Sequence, residues 1–315
     1  MKTRTYQLKL TGLVSPSGTI SLKALGDVCD LLLEAAERGL RLAVEGTSVK
    51  RGRLPLWLSQ SLDLKLVGLN KGSTVLGIEA PLLDQTAKEQ IRQQDFWYVV
   101  PKPDDTALTL LAKSVHDTTA EDLESNSYDG GVLDGLLQFK PFLKGSAERV
   151  ELRCVSRPPE RFKLDQPELA KIQRLKARTP EPRAFVISGL FDVIEHNKRR
   201  FDLVLSNGES LPGTIATEHL DVEHMRQFWG KKVTIKGLVH FRPSRKPRLI
   251  EAQVIKPMEE GEEVFETLPE EPSQIEFLNS VRETAAARQG WLKEIWGKWP
   301  GNEPIDDLLA ALNNS

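Results

Sequence analysis

Residues 183–215 read RAFVISGLFDVIEHNKRRFDLVLSNGESLPGTI. Phe185, Ile187 and either Leu190 or Phe191 recur at strand spacing, so 183–194 is expected to be a strand that Gly189 bends or bulges. Residues 201–205 alternate again as a second strand. Asn207-Gly208 lies between two alternating runs and is the strongest short-range hairpin signal, because a two-residue turn of type I′ needs positive φ. Residues 209–215 return as a third strand. Leu220, Met225 and Phe228 then sit at helical spacing in 218–228, which Gly230 stops. Strands follow at 232–240, with Val233 and Ile235 inward and Leu238 as a further candidate, and at 248–255. The order β-β-β-α-β-β over 183–257 is that of a five-stranded OB-like β-barrel, with a small barrel of different closure as the plain alternative.

On the N-terminal side, residues 4–14 alternate, Ser15-Pro16-Ser17-Gly18 is a turn, and 19–21 begins a return strand. Leu25, Val28, Leu32 and Ala35 give 22–38 a helical stripe, with Gly39 as its C-cap. Strands are expected at 40–46, 62–69, 74–80 and 150–155, and helices at 104–123 and 130–143. Residues 1–155 thus form a mixed α+β domain, and the fold class of the chain is α+β. Pro158, Pro159, Pro167, Pro180 and Pro182 make 156–182 a connector whose middle, 166–178, suits a short basic helix. The stretch 140–183 carries twelve Lys/Arg against six Asp/Glu. Residues 258–273 read as an acidic linker, and 274–315 as an amphipathic helical tail.

The chain has 315 residues and a formal net charge of −2, so two domains with an appendage are expected and no global charge drives binding to nucleic acid or membrane. No apolar run approaches the roughly 20 residues that span a bilayer, and the first residues lead straight into an alternating strand. A cytoplasmic protein with no membrane association is expected. Cys29 and Cys154 lie far apart, in no zinc or redox spacing. The turn at Asn70-Lys71-Gly72-Ser73 joins two strands and lacks the spacing of a phosphate loop. His219 and His224 sit five apart, about 140° around a helix, so they do not share a face for a metal. No nucleophile elbow occurs. Asp104-Asp105 and Asp306-Asp307, each adjacent in sequence, suit caps and solvated faces. No catalytic residue, metal site or cofactor is assigned, and a non-catalytic protein is expected.

Two features point to partners. The first is the barrel's loops. Loop 195–200 contains Lys198, Arg199 and Arg200; loop 240–248 contains Phe241, Arg242, Arg245, Lys246 and Arg248. In an OB-like barrel these loops flank one groove, where cations meet phosphates and Phe241 or His240 stacks on a base. The plain alternative is that exposed loops are charged for solubility.

The second is the tail. Of the six tryptophans, Trp291, Trp296 and Trp299 fall within nine residues of one another. Such a stripe either folds back on its own protein or docks in a partner's groove. The segment Trp296-Gly297-Lys298-Trp299-Pro300-Gly301-Asn302-Glu303-Pro304-Ile305-Asp306-Asp307-Leu308-Leu309-Ala310-Ala311-Leu312 resembles the C-terminal W-x-G-[DN]-E and amphipathic helix of bacterial antitoxins that pair with PIN-domain ribonuclease toxins. The resemblance implies a small toxin partner wrapped by the tail. It implies anchors at Trp296, Trp299, Ile305, Leu308 and Leu312, with Glu303, Asp306 and Asp307 reaching basic or metal-side surfaces. The body is unlike the small DNA-binding domains of those antitoxins and is similar to bacterial proteins of comparable length without an assigned role. The leading expectation is an antitoxin-like interaction protein; the alternative is an OB-fold protein that binds nucleic acid through loops 195–200 and 240–248.

Overall fold

The computed structural model describes residues 2–13, 19–50, 52–70, 74–91, 101–195, 200–215 and 226–269. The chain divides into two units, Met1–Glu270 and Glu271–Ser315. The second unit, with all of the expected tail, lies outside the described residues. So does most of the helix expected at 218–228, of which a 3-10 turn at Arg226–Phe228 is described.

The first unit contains a lobe and a barrel. The lobe is built on an antiparallel sheet of β1 (Thr3–Thr11), β2 (Lys65–Asn70), β3 (Val75–Pro81), β4 (Arg149–Cys154) and β5 (Arg161–Asp165), in the order β2-β3-β1-β4-β5. Alternation along β1 sends Tyr6, Leu8 and Leu10 into the core and leaves Thr3, Thr5 and Lys9 exposed on the opposite face. The inward face packs on helices α1 (Leu22–Glu45), α5 (Ala107–Thr119), α6 (Gly130–Leu137), α7 (Phe139–Gly145) and α8 (Gln166–Arg178), which share one apolar core with it. Three short helices, α2 (Leu56–Ser61), α3 (Leu83–Thr86) and α4 (Lys88–Ile91), flank the β2–β3 hairpin.

Several local expectations change. Residues 19–21 do not return as a strand: Ser21 caps α1, its hydroxyl accepting from the Ala24 N–H at 3.1 Å. Residues 40–46 are not a strand either. Helix α1 runs through Gly39 and ends at Gly46, whose φ is +81°. A mid-helix glycine costs about 1 kcal/mol. Burial of Leu40, Leu42 and Val44, at roughly 1.5–3 kcal/mol each, outweighs it.

The expected connector is largely part of the lobe. Residues 161–165 pair with β4 from Arg149↔Asp165 to Arg153↔Arg161. Residues 166–178 form α8, capped by Asp165 with Pro167 in the first turn. Phe162, Leu164, Leu169, Ile172 and Leu175 all join the lobe's core. The prolines punctuate folded elements instead of breaking them.

The barrel is closed by five strands, β6 (Arg183–Glu195), β7 (Arg200–Val204), β8 (Ser210–Ile215), β9 (Lys232–Phe241) and β10 (Pro247–Pro257), in the order β10-β8-β7-β6-β9. All neighbours are antiparallel except β8 and β10, whose parallel pairing spans Ile250↔Gly213 to Ala252↔Ile215. Gly208 turns the β7–β8 hairpin at φ +82°. Gly213 faces the Phe201 ring so closely that any Cβ would overlap it. The core holds Ile187, Phe191, Phe201, Leu203, Val233, Ile235, Phe241 and Ile250, with Phe191 stacked on Phe201 at 4.8 Å.

The expected acidic linker is also folded as far as it is described. A 3-10 turn at Glu262–Phe265 lies against the barrel. Lys232 pairs with Glu266 at 2.5 Å, Lys256 with Glu262 at 2.7 Å, and the Thr234 hydroxyl donates to Glu262 at 2.6 Å. Leu268 packs on the barrel core. The glutamates are held by barrel cations, so this segment is a strap.

Candidate functional site

Strands β7 and β10 break the alternation that a free barrel wall would show. Arg200 and Asp202 on β7, and Arg248 on β10, are buried together with their inward neighbours. The lobe meets the two arginines. Helix α1 ends with carbonyls that have no intrahelical partner. The Arg200 Nη2 donates to the Val44 carbonyl, and the Arg248 Nη1 donates to the Gly46 carbonyl at 2.9 Å. Two guanidiniums from the barrel therefore sit on the negative end of the lobe's longest helix.

Asp129 completes the joint. As the N-cap of α6 it accepts from the Val132 N–H at 2.9 Å, and it also accepts from the Ser48 N–H at 3.0 Å and the Ser48 hydroxyl at 2.5 Å. Its carboxylate lies 3.6 Å from the Arg248 guanidinium, whose side chain is 1% exposed. Burial pushes this carboxyl upward. The Arg248 charge, the Ser48 hydroxyl and the two backbone N–H groups outweigh it and hold the group below its ordinary range. Nearby, Arg242 donates to the Asn126 side chain at 2.8 Å and to the Pro247 carbonyl at 2.6 Å, and Lys246 pairs with Glu124 at 3.5 Å.

Several residues expected to line a nucleic-acid groove make contacts within the chain. Arg200, Arg242 and Arg248 point at the lobe or back into their own loop. Phe241 is 3% exposed, in the barrel core, edge-on to Phe185 at 5.8 Å. Arg245 stands at the tip of a tight turn with φ +73°, and Lys246 remains exposed. Lys198 and Arg199 lie outside the described residues, as do Trp291, Trp296, Trp299, Ile305, Leu308 and Leu312. Basic loops at the end of a barrel read alike in sequence whether they meet phosphates or the carbonyls of another lobe.

A second surface escaped the reading of the sequence. A cleft of about 640 Å³ lies at the β5 side of the lobe's open sheet face. From the sheet it is lined by Gln7, Lys9, Glu151, Arg153, Arg161 and Lys163; from the helical layer by His116, Thr119 and Glu168. Arg153 is fixed by two bonds to the Gln7 side-chain Oε1, at 2.8 and 2.5 Å. Lys163 pairs with Asp165 at 3.1 Å. Lys9 and Arg161 have no ion pair among the described residues. The excess of positive charge in 140–183 was the available signal: Arg149, Arg153, Arg161 and Lys163 collect on this face once 161–165 is known to be a strand.

Among the described residues no group of three or more His, Cys, Asp or Glu side chains is placed to hold a metal. No described helix is long and apolar enough to cross a membrane. Comparison of the chain with protein-family models, curated proteins and solved structures gives no match.

Proposed function

We propose that the chain is a non-catalytic interaction protein, antitoxin-like, which neutralises a small protein partner, of the PIN-domain ribonuclease class, through its C-terminal tail. The observation that carries this reading is the division at Glu270. The Trp-rich segment belongs to a unit separate from the lobe and barrel, and three of the six tryptophans fall in it. Tryptophan is the residue type most enriched at binding hot spots. The barrel carries the OB topology in this reading: its first strand pairs with the second and fourth, and the third runs parallel to the fifth, which fits a five-stranded Greek-key closure. The rival reading, nucleic-acid binding through 195–200 and 240–248, loses support because Arg200, Arg242 and Arg248 are engaged within the chain and Phe241 is buried.

The test compares the tagged wild-type chain with a full-length Trp296→Ala/Trp299→Ala/Leu308→Asp variant, each purified from the native host with retained proteins identified by mass spectrometry. The expected result is a small nuclease retained by the wild type alone, whose RNA cleavage in vitro is suppressed by the wild-type chain and not by the variant. Retention by both chains, or cleavage unaffected by the wild type, overturns the reading.

A further inference from the structure

Strand β5 is an edge of the lobe's sheet, and its free side opens on the cleft. The backbone direction along it follows from one bond. The Cys154 N–H donates to the Glu160 carbonyl at 2.8 Å, so this pair is hydrogen-bonded. Hydrogen-bonded pairs alternate in an antiparallel ladder. The register then makes Leu152↔Phe162 a bonded pair, and leaves Arg153↔Arg161 and Glu151↔Lys163 non-bonded. The N–H and C=O of Arg161 and Lys163 therefore point away from β4, toward the edge of the sheet. Their side chains stand exposed on the open face, beside Lys9 and Arg153.

Short edge strands bearing Lys and Arg are also the ordinary device against aggregation. That device does not call for a cleft along the edge, and the opposite edge, β2, is instead flanked by the exposed apolar side chains of Leu66 and Val67. We infer that β5 and its cleft bind an extended, acidic peptide segment of a protein partner, which adds to the sheet as a sixth strand and pairs its carboxylates with Arg161, Lys163 and Lys9. Main-chain bonds at Arg161 and Lys163 supply the register. Charge complementarity supplies the choice of peptide: Lys9, Arg153, Arg161 and Lys163 line the cleft against the carboxylates of Glu151 and Glu168. Of the rings that line the cleft, Phe162 is buried in the lobe's core and His116 is exposed on the helical side, so the strand itself presents main-chain groups and cations and no row of rings on which successive bases would stack, which favours a peptide over single-stranded nucleic acid. This surface is separate from the tail, so it stands or falls independently of the antitoxin-like reading.

The experiment uses the full chain and a fluorescein-labelled, end-capped peptide of alternating valine and glutamate, read by fluorescence anisotropy. Saturable binding is expected, weakened about tenfold or more by Arg161→Glu, by Lys163→Pro, and by N-methylation of alternate peptide amides. The same peptide with lysine for glutamate is expected not to bind. Should Lys163→Pro fail to fold, Arg161→Glu, an exposed surface change, carries the test. The Trp296→Ala/Trp299→Ala/Leu308→Asp chain is expected to bind the peptide as well as wild type. Absence of saturable binding, affinity within twofold after Arg161→Glu, or indifference to N-methylation overturns the inference. Displacement of the peptide by oligothymidylate of equal charge overturns it in favour of a phosphate-binding surface.

Discussion

A guanidinium withdrawn from water needs acceptors, and Arg248 has the Gly46 carbonyl on its Nη1 and the Asp129 carboxylate 3.6 Å from its Nη2. Breaking a buried pair by removing one partner costs about 3–5 kcal/mol, because the other charge stays buried. Asp129 keeps its bonds from Ser48 and Val132, which places Arg248→Ala near the lower end, about 3 kcal/mol. Urea denaturation should show this as a lowered midpoint with an unchanged slope. A loss below about 0.5 kcal/mol would mean that the joint does not depend on this residue.

Among the elements, the strap gives a prediction in pH. Glu262 is held down to about 2 by the Glu259 N–H, by Lys256 and by the Thr234 hydroxyl. A depressed carboxyl stabilises the folded state fully above its ordinary value of 4.5, and that contribution is lost as pH falls from 4.5 toward 2. Carboxyl titration by NMR should place Glu262 near 2, with the strap's amide signals shifting in the same window, and Thr234→Val should raise the midpoint. A midpoint near 4.5 in the wild type would show the strap to be loose. The same elements show what was readable beforehand. The barrel strands were legible because Asn207-Gly208 and clean alternation leave little choice. Residues 161–178 were not, since Pro158, Pro159 and Pro167 signal interruption equally in a linker and at the joints between a hairpin and a capped helix. In 40–46, Leu40, Leu42 and Val44 alternate as in a strand, yet they lie in a helix buried on more than one side, where periodicity carries no information.

At the scale of the molecule, lobe and barrel are joined through buried charged groups, whereas domains within a chain ordinarily move about a polar interface. Separating them would take Arg200 from the Val44 carbonyl, and Arg248 from the Gly46 carbonyl and the Asp129 carboxylate. Calorimetry should therefore record one transition for lobe and barrel together, and Arg200→Ala/Arg248→Ala should split it into two. Two transitions in the wild-type chain would show that the joint transmits no stability. The candidate surfaces were legible in proportion to how local they are. The tail expectation rests on three tryptophans within nine residues of sequence. The cleft beside β5 draws on residues from 7 to 168 and exists only after β4 and β5 have paired with β1.

The capping of α1 also has a consequence in time. The carbonyl of Gly46 is satisfied by Arg248, a residue 202 positions later. Translation at roughly 5–20 residues per second puts an interval of roughly 10–40 s between the two on the ribosome. Through that interval the helix end lacks this partner, and the lobe of a nascent chain lacks its contacts with the last strand. A chain interrupted before Arg248 thus carries a finished sheet and a helix end without its distant partner.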